Sequence, residues 1–253
     1  NQLKMKVIAI IPARYASSRF PGKPLAMIGD KSMIRRVYER VKLSGVDEVL
    51  IATDDDRIKE HVEKFGAKVI ITSSNHTTGT ERGAEALTKS TNDFDIVINV
   101  QGDEPFIDPS HLKQLSRVFE EKDIQIASLM DKFETLDELH SPNNIKITVD
   151  QHNFALYFSR SVIPYIRDQN IDKWFAENTF HKHIGIYAFR TSVLKEIVKL
   201  QSIQTEAAES LEQLRWLYHG YKIKLIESKH HGISVDTPED LEQANYILNN
   251  TYS

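Results

Sequence analysis

The chain has 253 residues, 40% apolar and 27% charged, with a formal net charge of -4, which suits one large α/β domain and argues against nucleic-acid binding through bulk positive charge. The absence of cysteine excludes disulfides, Fe–S clusters and thiolate zinc sites and accords with a cytoplasmic protein. No apolar run approaches the roughly 18 to 20 residues that span a bilayer, and the N-terminal stretch lacks a signal-peptide layout, so no membrane partner is expected.

Residues 5–11, Met-Lys-Val-Ile-Ala-Ile-Ile, read as the buried first strand of a parallel sheet. The prolines and the Pro-Gly step in 12–25 predict an irregular loop leaving the C-terminal edge of that strand, where open α/β sheets bind ligands. Arg14, Arg19 and Lys23 fall within this loop, and a polyphosphate is the natural counterpart of such a cluster. Solvated surface charge is the alternative reading.

Further along, Ser32 caps a helix to about Ser44 with Gly45 as its stop, and 47–53 is a strand. Asp56 caps a helix that ends before Gly66, 68–71 is a strand, and Thr80 or Glu81 opens the next helix. Residues 95–100 read as a central strand running into Gln101-Gly102-Asp103-Glu104-Pro105. Gly102 permits close backbone approach, so Asp103 can present a carboxylate at the sheet edge, a group suited to Mg²⁺. A simple turn after a strand explains Gly-Asp equally well. Pro109 opens another helix, and 124–130 is strand again. This βαβ rhythm predicts a Rossmann-like, mostly parallel sheet flanked by helices in a single α/β domain, 1–253.

Residues 145–149 and 154–158 flank a polar turn and predict an antiparallel hairpin, and 183–190 adds a strand. We read 131–190 as a smaller antiparallel insertion whose exposed face is the expected homodimer surface. His181, His183, His230 and His231 lack zinc-motif spacing. Helices are expected at 191–200 and 206–219, a strand at 222–227 and a last helix at 238–248. In Val235-Asp236-Thr237-Pro238, Thr237 is an N-cap and Pro238 suits the first helical position. The cap does not need Asp236, which is left as a second carboxylate at a strand end.

Together these blocks resemble the sugar-acid cytidylyltransferases, specifically those acting on 3-deoxy-manno-octulosonate (Kdo). The likeness runs through the 11–25 loop, Ala52-Thr53-Asp54, Gly79-Thr80-Glu81-Arg82, 99–105, Ala155-Leu156-Tyr157-Phe158-Ser159-Arg160, His183-Ile184-Gly185-Ile186-Tyr187, Leu211-Glu212-Gln213-Leu214-Arg215 and 235–241. It implies a nucleotide-diphospho-sugar transferase type of fold and a Mg²⁺-dependent transfer of CMP from CTP to the anomeric hydroxyl of Kdo, releasing pyrophosphate, for lipopolysaccharide synthesis. It further implies that Pro12, Ala13, Arg14, Ser18 and Lys23 form the triphosphate loop, that Thr80, Arg82 and Gln101 lie around the nucleoside, and that Asp103 and Asp236 hold the metal. Lys23, Asp103 and Asp236 are then the catalytic residues.

For the sugar acid, the resemblance points to Arg160, His183, Tyr187, Glu212 and Gln213. A surface ion pair for Arg160, a core aromatic for Tyr187 and a structural imidazole for His183 are the alternative uses of those residues. The chain departs from the family pattern at Ile166, where an acidic residue is expected, and over 169–182, which leaves 8-amino-Kdo as an alternative substrate. A Rossmann dehydrogenase is disfavoured because the first loop lacks G-x-G-x-x-G. A non-catalytic nucleotide-binding protein would have no use for both Asp103 and Asp236.

Overall fold

Strand β1 (Val7–Ala13) forms where the β-branched run predicts it, with Ile8, Ile10 and Ile11 wholly buried. Each such side chain contributes about 1.5–3 kcal/mol by leaving water. The structure, a computed structural model, describes residues 5–17, 19–170, 173–229 and 233–251. The chain divides into two units, one made of 1–117 with 231–253 and the other of 118–230.

In the first unit, β1 is followed by a small antiparallel hairpin of β2 (Met27–Ile28) and β3 (Lys31–Ser32), which the sequence reading did not anticipate. Then come α1 (Met33–Lys42), β4 (Glu48–Thr53), α2 (Asp56–Lys64), β5 (Lys68–Ile71), α3 (Gly79–Lys89), β6 (Ile96–Asn99) and α4 (Pro109–Arg117). The strands run β6-β1-β4-β5 and are all parallel, as repeated βαβ crossovers require. Ser32 caps α1 as expected. Asp55, not Asp56, caps α2, because its backbone is still extended and its carboxylate accepts the main-chain N–H of Arg57 at 2.9 Å. Helix α3 starts at Gly79, one residue before Thr80 and two before Glu81, with Thr78 and Glu81 forming a reciprocal capping box.

The C-terminal helix Pro238–Thr251 returns to this first unit. Thr237 Oγ1 accepts the Asp240 N–H while the Asp240 carboxylate accepts those of Asp236 and Thr237, so the cap leaves the Asp236 carboxylate unspent. Ile28, Met33, Val235 and Ala244 form a buried cluster beneath Phe20, Phe106 and Leu241, anchoring the segment that carries Asp236.

The second unit contains β7 (Ile126–Lys132), α5 (Leu136–His140), β8 (Lys146–Val149), β9 (Ala155–Ser159), α6 (Trp174–Glu177), β10 (His181–Arg190), α7 (Thr191–Ile197), α8 (Gln204–Glu209), α9 (Gln213–Tyr218) and β11 (Ile223–Glu227). Here β10 lies antiparallel to β7, β11 parallel to it, and β8–β9 is the expected antiparallel hairpin. The helix expected over 206–219 is broken into α8 and α9 because Ser210 adopts a left-handed conformation, φ 51°. Ile166, the departure from the family pattern, packs against the buried cluster of Phe133, Leu139, Trp174 and Phe180. No helix among the described residues is long and apolar enough to cross a membrane.

Candidate active site

The loop after β1 is closed by its own backbone, with the N–H groups of Ser17 and Gly22 both donating to the carbonyl of Tyr15 at 3.0 and 2.9 Å. Gly22 sits at φ 72°, and a Cβ there would lie 3.1 Å from the Tyr15 ring, so the loop needs glycine for conformation and for space. The guanidinium of Arg57 covers the Tyr15 ring at 3.3 Å from its centroid. Arg19 projects from this loop, and Lys23 begins the 3-10 turn Lys23–Leu25 behind it. Ser18 lies outside the described residues.

Two further segments complete the site. After β6, the Gln101-Gly102-Asp103 turn comes so close to the end of β1 that a Cβ on Gly102 would meet the Pro12 carbonyl oxygen at 2.8 Å. An alanine there would force two backbones apart and move Asp103 with them. The N–H of Val235 donates to the carbonyl of Asp103 at 2.9 Å, tying the Asp236 segment to the Asp103 turn.

The two carboxylates converge on one cation. Lys23 Nζ donates to Asp103 Oδ2 at 2.8 Å and to Asp236 Oδ1 at 3.0 Å, and Arg19 reaches Asp236 at 3.2 Å. Burial opposes the charge on Lys23, but Asp103 and Asp236 outweigh it and hold the ammonium pKa above its ordinary value. For Asp103 burial prevails over the pull of Lys23 and pushes the carboxyl up, helped by Glu104 and Asp236.

These groups border a cleft of about 290 Å³. Pro12, Ala13, Arg14, Arg19 and Lys23 line one part of it, Gln101, Gly102, Asp103 and Asp236 another. His76, Thr77 and Thr78, which sequence reasoning did not single out, bring the N-terminus of the 11-residue helix α3 to the same cleft together with Gly79. The positive end of the helix dipole favours an anion there. The signal was present in Thr78-x-x-Glu81, a capping box that marks a helix start. His76 Nε2 is paired with Glu85.

Arg82 also borders the cleft, but its guanidinium is buried and donates to Thr72 Oγ1 at 2.6 Å and Asp54 Oδ2 at 2.9 Å, so it braces the wall. Thr80 is buried on α3.

The residues expected to meet the sugar acid lie in the second unit. His183 Nε2 is 2.8 Å from Ser128 Oγ, which itself donates to the Ile186 carbonyl at 2.9 Å across a β-bulge in β10. Nε2 is then the donor of that pair, and Nδ1 is left as an acceptor. Burial lowers the His183 pKa to about 3, which keeps the imidazole neutral at physiological pH. Tyr187 packs against His183 and Trp216 with centroids 5.1 and 5.0 Å apart, and its buried hydroxyl has no hydrogen-bond partner among the described residues. Burial, with Glu212 nearby, raises its pKa, so Tyr187 remains a phenol able to donate.

Glu212 accepts from Arg215 at 3.2 Å, and Gln213 is buried at the start of α9. Arg160 directs its Nε–H to the Glu209 carbonyl at 2.6 Å and its Nη1 and Nη2 to those of Pro142 and Ser210 at 2.9 and 3.4 Å. The surface ion pair set against its functional reading does not form among the described residues.

A parallel βαβ sheet whose first strand ends in a cationic loop beside paired carboxylates defines a nucleotidyltransferase of the α/β class. The Cytidylyltransferase family matches residues 8–224. 3-Deoxy-manno-octulosonate cytidylyltransferases of Bacteroides thetaiotaomicron and Parabacteroides distasonis are 51% and 50% identical over 97% of this chain and 99% of their own length. A solved CMP:2-keto-3-deoxy-manno-octonic acid synthetase complexed with CTP superposes with a TM-score of 0.90 at 41% identity, covering 96% of this chain and 98% of that one. The chain belongs to the cytidylyltransferase family, and within it to the 3-deoxy-manno-octulosonate cytidylyltransferases.

Proposed function

We propose that the protein transfers CMP from CTP to the anomeric hydroxyl of Kdo and releases pyrophosphate. The observation that carries this reading is the convergence of Lys23, Asp103 and Asp236 beside the Arg14–Arg19 loop. A structure 41% identical to this chain that bears CTP supports the nucleotide, and relatives at about half identity support the sugar acid.

Asp103 and Asp236 suit Mg²⁺ in kind, since they are hard oxygen donors already gathered around a cation. Mg²⁺ held by these two carboxylates would take its remaining ligands from substrate phosphates and water. Once bound there, Mg²⁺ would supply Lewis-acid stabilisation of the charge developing on the α-phosphoryl group.

The chain's own residues do the rest. Arg14, Arg19 and the N-terminus of α3 hold the triphosphate, and Lys23 turns from the carboxylates to the leaving pyrophosphate. The sugar hydroxyl gives up its proton to water and forms a bond to the α-phosphorus as the bond from that phosphorus to the α,β-bridging oxygen breaks, and the oxygen leaves with pyrophosphate. Tyr187 donates to the sugar acid, neutral His183 accepts from it through Nδ1, and Arg160 pairs with its carboxylate.

The test is pyrophosphate release from CTP with Mg²⁺ and a panel of Kdo, 8-amino-Kdo and N-acetylneuraminate. Release with Kdo above the other two is expected; release with 8-amino-Kdo or N-acetylneuraminate alone would reassign the substrate.

The protein works in the cytoplasm, and its product feeds lipopolysaccharide synthesis. It acts as a homodimer through the β8–β9 hairpin, whose outer strand exposes Leu156 and Tyr157. Sedimentation of the same preparation should give twice the 29.0 kDa chain mass, and a monomer at assay concentration would remove this assignment.

A further inference from the structure

Arg160 follows the last residue of β9, and one residue of α8, Glu209, touches it at both ends. The Glu209 carboxylate accepts the main-chain N–H of Arg160 at 2.6 Å through Oε2 and the Ser159 hydroxyl at 2.8 Å through Oε1. Ser159 Oγ in turn accepts the N–H of Ser161 at 3.0 Å, which locks the turn. The main-chain carbonyl of Glu209 takes the Nε–H of Arg160 at 2.6 Å. The left-handed Ser210 then turns its own carbonyl towards Nη2 at 3.4 Å, while Pro142 takes Nη1.

The charges around this clamp do not balance. Lys146 is wholly buried, and its ammonium donates to the carbonyls of Ser141 and Arg160 at 2.7 and 2.9 Å. Among the described residues the two cations, Lys146 and Arg160, have Glu209 as their nearby carboxylate, and that carboxylate is spent on a main-chain N–H and on the hydroxyls of Ser159 and Tyr157. Three of the five guanidinium N–H groups of Arg160 go to neutral carbonyls. Two N–H groups find no acceptor and the guanidinium forms no ion pair among the described residues, which leaves donors and charge for a carboxylate. Holding a long, flexible side chain in advance also removes the ordering cost that binding would otherwise carry.

We propose that Glu209 is the positioning residue of Arg160, holding its guanidinium ready for the carboxylate of the sugar acid. The proposal rests on the reading that Arg160 takes that carboxylate. It assigns Glu209 no contact with substrate.

The experiment compares Glu209→Ala, Glu209→Gln, Arg160→Ala and the double variant Arg160→Ala/Glu209→Ala in steady-state kinetics with both substrates. Glu209→Ala should raise KM for Kdo about tenfold, the size of one lost charge-assisted hydrogen bond, and leave kcat and KM for CTP within about twofold. Glu209→Gln keeps one acceptor oxygen and should recover most of that loss. The double variant should be no worse for Kdo than Arg160→Ala alone, because both changes remove one arrangement.

Additive losses in the double variant, or equal damage to kcat and to both KM values in Glu209→Ala, would overturn the positioning role. Should Glu209→Ala fail to fold, Glu209→Ser takes its place: an unchanged KM for Kdo there overturns the role, and a rise confined to that KM supports it. If Arg160→Ala itself leaves KM for Kdo unaltered, the parent reading of Arg160 fails instead.

Discussion

Asp103→Asn is expected to yield a folded protein whose turnover is about a thousandfold lower at saturating CTP, Kdo and Mg²⁺. The main chain that presents the side chain is fixed independently of its charge, by the close approach of Gly102 to Pro12 and by the Val235 N–H on the Asp103 carbonyl. Asparagine fills the same space and still offers Lys23 an oxygen.

Stability should change little, because burial holds the Asp103 pKa above its unfolded value, helped by Glu104 and Asp236 and opposed by Lys23. A raised carboxyl pKa favours folding fully only below the unfolded pKa, and that preference is lost as pH rises through the folded value. At neutral pH the ionised carboxylate is therefore a cost to the fold, relieved in part by Lys23. Its neutral isostere gives up some of that ion pair but removes the desolvation cost. Pyrophosphate release and a thermal melt on the same sample check both halves. A near-normal rate would remove Asp103 from the machinery, and a collapsed melt would show that the pair with Lys23 holds the fold together.

The sheet was readable wherever short-range physics decides it. The apolar, β-branched run of β1 and the polar turn between β8 and β9 are local signals, and both elements form as expected. The β2–β3 hairpin was not readable, because Ile28 is buried against Val235 and Ala244, more than 200 positions away. The break at Ser210 carries no glycine or proline, so nothing local marked the end of α8.

The site shows the same division. Lys23, Asp103 and Asp236 were each visible as a residue of suitable chemistry at a strand end or in a loop. Their meeting spans separations of 80 and 213 residues, which only the fold closes. Arg82 was visible as a charge, but its buried bonds to Asp54 and Thr72 were not. The clamp of Glu209 on Arg160 depends on a left-handed serine that the residue types do not advertise.

Lys23→Ala should separate two consequences of a cation held between two carboxylates. Without nucleotide, Lys23 offsets the charge of Asp103 and Asp236 at 2.8 and 3.0 Å. Its raised pKa means that this stabilisation is complete below the unfolded lysine value and is lost only as pH rises through the higher folded one, so it is fully present at pH 7. Removing it leaves the two carboxylates with Arg19, at Asp236, as the one ion-pair partner among the described residues. Breaking a buried pair costs about 3–5 kcal/mol, and the partial exposure of Asp236 reduces this to about 1–3 kcal/mol.

That deficit should shrink on acidification, as the Asp103 carboxyl, whose pKa burial raises, takes up a proton. It should also shrink on adding Mg²⁺, which would raise the melting temperature of Lys23→Ala more than that of the native protein because no ammonium competes for the oxygens. In catalysis the same change should weaken CTP affinity by about ten- to a hundredfold and leave CMP affinity within about twofold, since Lys23 is assigned to the leaving pyrophosphate, which CMP lacks. Titration calorimetry with each nucleotide decides this. Equal losses for CTP and CMP would place Lys23 elsewhere on the nucleotide, and an equal Mg²⁺ shift in both proteins would mean that the metal does not compete for the oxygens Lys23 now occupies.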